Sequence, residues 1–175
     1  MSDDAIANLR AGAHPVRLRI LSLLTGASMS AAEVARELGL THANASYHLR
    51  VLAGSGAVVE AGEEKIRGGV AKRYRHPWEQ QLRGSGRPDD RDLYVRATAE
   101  ELVRRSRLRR EGTPQSMTDA ELWVGEDVWK RAMQLVEDAA RLIHAEARPP
   151  RSPGTVHVNM TAAMFRMTDA QGTGS

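Results

Sequence analysis

The chain contains no cysteine, which excludes disulfides, thiolate metal ligands and thiol redox sensing. It also lacks any stretch near the ~20 consecutive apolar residues that a membrane-spanning helix needs. Met1 to Arg10 is acidic where a secretory leader would be basic and then apolar, so the expected location is the cytoplasm, with no membrane partner. There is no nucleophile elbow, no phosphate-cradling glycine loop before a helix and no HExxH pair. The six histidines stand at 14, 42, 48, 76, 144 and 157, without the close spacing of a metal site. His144 and Glu146 form an HxE at a helix end, where residues i and i+2 do not share a face. The expectation is therefore a non-enzyme with no cofactor and no metal.

What is present is an ordinary composition: 175 residues, 41% hydrophobic and 27% charged. That length suffices for one core with an elaboration, or for two small domains. The net charge of +3 is unevenly placed, since residues 1 to 83 hold 11 Lys and Arg against 8 Asp and Glu, and residues 84 to 175 hold 14 against 14. The whole surplus lies in the first half, which agrees with a phosphate-binding patch there without proving it.

The most informative stretch is Ser30 to Leu52. Ser30 and Glu33 form a capping box that opens a helix before Val34, Leu38 and Leu40. Gly39 suits a left-handed exit, and Thr41 caps a second helix. In that second helix Ala45, Leu49 and Leu52 share one inward face. Ala43, Asn44, Tyr47 and Arg50 occupy the opposite face, with Ser46 and His48 on the flanks. A helix braced behind and polar in front suits the major groove of DNA, which admits one α-helix and exposes readable base edges.

Before this pair, Pro15 opens a helix carrying Val16, Ile20, Leu23 and Leu24, ended at Gly26. After it, Val58 to Ala61 reads as an extended piece, Glu63 to Gly69 as a glycine-bearing tip and Val70 to His76 as a strand. On this hairpin Lys65, Arg67, Lys72 and Arg73 lie where a wing touches backbone or minor groove. Glu63 and Glu64 weigh the other way, toward a solvated hairpin with incidental charges.

The run from His14 to His76 resembles the winged helix-turn-helix domain of the ArsR family of bacterial transcriptional regulators. The residues that carry the likeness are HPVRLRILSLL (His14 to Leu24), LGLTHANAS (Leu38 to Ser46), SYHLRVL (Ser46 to Leu52) and KRYRH (Lys72 to His76). The resemblance implies a homodimeric regulator, a repressor above all, bound to double-stranded operator DNA. Many members sense metals through cysteines or His and carboxylate pairs, and this sequence departs from both patterns. On the recognition helix the candidate DNA-contacting residues are Thr41, His42, Ala43, Asn44, Ser46, Tyr47, His48 and Arg50. For Tyr47 and His48, packing against the wing is the alternative role.

The GSGRPDD segment reads as a linker, which divides the chain into a DNA-binding domain (1–83), a linker (84–90) and a C-terminal dimerisation or effector region (91–175). Residues 91–111 read as a helix whose arginines pair with Glu100 and Glu101 along a solvated face, with a second nucleic-acid site on Arg104, Arg105, Arg107, Arg109 and Arg110 as the alternative. Residues 126–147 form the clearest amphipathic helix, with Trp129, Met133, Val136 and Ile143 on its apolar stripe. Thr155 to Met167 alternates so that Met160 and Met164 share an apolar strand face. Residues 121–124 suit either a short strand or a helix start. Trp123, Trp129 and the methionines form core or dimer interface, or an adaptable space for an apolar small-molecule effector. The expected fold is mainly α with a small β component: a winged helix-turn-helix domain plus a helical C-terminal dimerisation region with a terminal β-strand. A protein-interaction scaffold that keeps the winged fold without specific DNA binding is the alternative function.

Overall fold

The computed structural model describes residues 12–67, 69–80 and 88–168. Among the described residues, five α-helices, a small three-stranded antiparallel sheet and one 3₁₀ turn at Trp78–Gln80 make up the regular structure, so the fold is mainly α. In chain order these are α1 (Pro15–Gly26), β1 (Met29–Ser30), α2 (Ala31–Leu38), α3 (His42–Gly54), β2 (Val59–Ile66), β3 (Gly69–Arg75), α4 (Pro88–Ser106) and α5 (Glu126–Ala145). The sheet order is β1-β3-β2. That arrangement is a winged helix-turn-helix.

The local reasons are those of the sequence. At α2 the Ser30 N–H donates to Glu33 Oε2 at 2.7 Å and the Glu33 N–H donates back to Ser30 Oγ at 3.4 Å, completing the capping box. Gly39 ends α2 at φ 65°, a left-handed conformation that a Cβ makes costly. Thr41 Oγ1 accepts the Asn44 N–H at 3.2 Å and starts α3. Ile20 and Leu24 of α1, Val34 of α2, Ala45, Leu49 and Leu52 of α3 and Val58 ahead of β2 meet in one core, each at most 1% exposed. Truncating a fully buried leucine such as Leu49 to alanine costs about 2–5 kcal/mol.

Several expectations shift. The hairpin is longer than expected: β2 and β3 pair out to Ile66 opposite Gly69, so residues 63–66 belong to a ladder and not to a loop. The extra reach comes with a bulge between Glu60 and Glu63, where Gly62 takes φ 116°. The expected linker lies largely outside the described residues, and α4 begins at Pro88, within its expected bounds. The expected terminal strand is a correction: residues 155–168 form neither helix nor ladder, and residues 121–124 are likewise irregular. An apolar alternation specifies which side chains share a face, but a strand also needs a neighbouring edge to bond to. Among the described residues, none on this chain supplies one.

Candidate nucleic-acid interface

The second helix of the pair, α3, carries its buried residues on one side and leaves the other open. His42, Ala43, Asn44, Tyr47 and Arg50 are exposed and Ser46 is half-buried, while Ala45, Leu49 and Leu52 are at most 1% exposed behind them. Thr41 spends its hydroxyl oxygen on the cap, and Arg50 Nε lies 3.4 Å from the Ser46 carbonyl. Asn44 and Tyr47 are one helical turn apart, so the polar side chains form a single outward ridge.

His48 does not belong to that ridge. It is 6% exposed and stacks on His14 with ring centroids 5.0 Å apart, while Tyr47 meets it edge-on at 5.3 Å. It packs on the start of α1 instead of reaching outward or toward the wing. The signal was in the spacing, because Ala45, His48, Leu49 and Leu52 complete i, i+3, i+4 and i+7. His14 itself caps α1 by accepting the Val16 N–H on Nδ1 at 3.2 Å. Burial first, and Arg17 beside it, hold both imidazoles below their ordinary pKa, and His14 adds to the lowering at His48.

The wing cations divide into two pairs. Lys65 and Arg67 stand exposed near the tip. Lys72 Nζ is 2.7 Å from Glu60 Oε1, which raises its pKa. Arg73 is turned inward: it bonds the Ser28 carbonyl, lies 3.1 Å from Glu33 and is 2.5 Å from Glu64. Its guanidinium thereby ties β3 to the capping box of α2. A fork of five donors suits such a junction, whereas the alternation of β3 alone marks Arg73 only as a wing-surface cation.

Residues 13–61 match the family model of a helix-turn-helix domain, a span that runs from the start of α1 into β2. The chain carries a helix-turn-helix domain. No curated protein matches the chain. The helix-turn-helix match coincides with the residues that build the ridge, and it stops short of β3, α4 and α5.

In the C-terminal half the expected interface or effector residues are not brought into a closed core. Trp123 is 86% exposed. Trp129, Met133, Val136, Met160 and Met164 are half-buried, Ile143 is exposed, and α5 has no buried residue. The arginines of α4 behave as expected of a paired face: Arg104 and Arg105 both reach Glu101, at 2.9 and 3.4 Å. Among the described residues, no group of three or more His, Asp or Glu is gathered closely enough to hold a metal ion. No helix there is long and apolar enough to cross a membrane.

Proposed function

We propose that this chain is a sequence-specific, ArsR-type transcriptional regulator that binds double-stranded operator DNA as a homodimer, with α3 in the major groove and the wing on the backbone or minor groove. In this reading residues 1–83 bind DNA and residues 91–175 join two copies and hold any effector site. The carrying observation is the outward ridge of α3, where Asn44, Tyr47 and Arg50 are exposed over a fully buried rear face. Asn44 has the donor and acceptor to pair bidentately with an adenine edge, and Arg50 suits a phosphate. Lys65 and Arg67 are the wing contacts, with Lys72 secondary because Glu60 already occupies it. A lone helix reads few bases, so two copies reading half-sites one turn of the duplex apart give the needed specificity. Repression is the direction implied by the resemblance.

The test is binding to the protein's own upstream region. Asn44, Tyr47 and Arg50 changed together to alanine should lower specific affinity at least ~100-fold, on the scale of 1–3 kcal/mol per good base contact, without changing the assembly state. Equal, weak binding of the native protein to upstream and random DNA would remove the reading. The acidic wing, with Glu60 and Glu64 each paired to a wing cation, favours the second reading, a protein-interaction scaffold on a winged fold. Unaltered cellular function of the triple variant would select it.

A further inference from the structure

The C-terminal half leaves two apolar segments without backbone partners. Among the described residues, neither 114–124 nor 156–168 makes a backbone-to-backbone hydrogen bond beyond the helix start at Gly125. Both are exposed: Leu122 at 73%, Trp123 at 86%, Val156 at 81%, Val158 at 58% and Phe165 at 68%. Summed residue by residue, the apolar side chains of residues 117–167 leave on the order of 1,000 Å² in water. That area matches what one partner contributes to an obligate dimer, roughly 1,000–2,500 Å².

The second segment is nonetheless held along a definite path. After α5 the chain turns at Pro149 to Thr155, with the Ser152 and Thr155 N–H groups bonding back. Asn159 Oδ1 accepts from Arg105 at 3.2 Å, and Arg166 pairs with Glu126 at the first turn of α5. Residues 155–166 therefore run from the turn after α5, past Arg105 of α4, to the first turn of α5. Tethered, apolar and unbonded, they form an open edge suited to strand addition.

We propose that residues 155–167 pair antiparallel with the same residues of a second copy, across a twofold axis within residues 160–162, and that this ladder closes the subunit interface. The proposal rests on the homodimer reading above and specifies where the two copies join. Two features single out a second copy. Between Thr155 and Phe165 there is no Lys, Arg, Asp or Glu, so self-pairing sets no like charges opposite one another, which would be destabilising. A twofold axis through a residue also pairs even positions with even ones. Val156, Val158, Met160, Ala162 and Met164 then make one unbroken apolar face across both strands.

The absence of native cysteine makes a single-cysteine scan from Val158 to Met164 in the full chain a clean test. Opposed Cα atoms in an antiparallel pair lie ~4.5–5.5 Å apart, within the range that a disulfide spans. Mild oxidation should give a covalent dimer that peaks at one residue of 160–162 and falls away on both sides. Sedimentation equilibrium should show a dimer, and Val158→Asp with Ala162→Asp, both at exposed positions, should give a monomer of unchanged helical content. A native monomer at micromolar concentration overturns the proposal. So does a dimer that cross-links nowhere in 158–164, or one that survives the double Asp variant. A cross-linked dimer that cannot tell operator from random DNA leaves the ladder standing and removes the regulator reading. Specific DNA binding by a dimer that fails the scan does the reverse.

Discussion

His14 and His48 face one another where α1 meets α3, 5.0 Å between ring centroids, and His48 Nδ1 is buried without a hydrogen-bond partner. Arg17 and Tyr47 adjoin the pair, and Glu100 reaches it from α4. Burial is the largest cause of the lowered pKa at both rings, and at His76 as well. An unfolded chain protonates these rings near the ordinary value of about 6.5, while the folded chain resists. The unfolded state thus takes up more protons as pH falls below about 6.5, so the stability present above that value is lost on acidification. Protonating His14 also removes the lone pair that accepts the Val16 N–H. Thermal melts should show a lower midpoint at about pH 5 than at about pH 7.5, and His48→Leu should shrink that difference; an unchanged difference in the variant would deny His48 its share. Arg73 yields a contrasting prediction. Because it joins Ser28, Glu33 and Glu64, Arg73→Ala should lower the urea midpoint. Lys65→Ala and Arg67→Ala should leave stability alone and each reduce the salt slope of DNA binding by about 1. A silent Arg73→Ala in urea would show that its ion pairs are solvent-screened surface contacts.

At the scale of elements, the helix-turn-helix was nearly fully legible because its signals are local. The Ser30 and Glu33 box, Gly39 and the Thr41 cap each act within three or four residues, and all form. Ser30→Ala should cost about 1 kcal/mol through loss of the cap, and Gly39→Ala a similar ~1 kcal/mol because φ 65° penalises a Cβ. Both are measurable by denaturant unfolding, and Gly39→Ala without loss would mean that the turn relaxes. The wing was legible as a hairpin but misjudged in length, since a bulge at Ala61 and Gly62 re-phases β2 in a way that alternation cannot announce. His48 was misplaced for another reason. A polar ring on the border of an amphipathic helix goes wherever its neighbour leaves room, and that neighbour, His14, lies 34 residues away in sequence.

For the whole molecule, the C-terminal half returns onto the winged helix-turn-helix at points no local pattern marks. A Cβ on Gly26 at the end of α1 would stand 2.6 Å from the Arg148 carbonyl oxygen, so the backbone after α5 rests directly on that glycine. Arg151, held at φ 63°, pairs with Glu37 of α2, and Trp78 stacks on His144 of α5 at 5.1 Å. Gly26→Ala should therefore loosen the chain after α5, raising the rate of tryptic cleavage after Arg151 several-fold while leaving α2 and α3 folded. Cleavage no faster than in the native chain would mean that Arg148 yields without disengaging. The sequence by itself determined the limits and caps of α2 and α3, the inward face of α3 and the polar ridge in front of it, because those depend on side-chain periodicity and on bonds between near neighbours. Only the tertiary structure decided that His48 packs inward, that Arg73 locks the wing to α2, and that residues 155–168 cross from Arg105 of α4 to the first turn of α5 without a ladder partner. Those outcomes depend on which distant surfaces meet, and contacts between residues tens of positions apart leave no period in the chain.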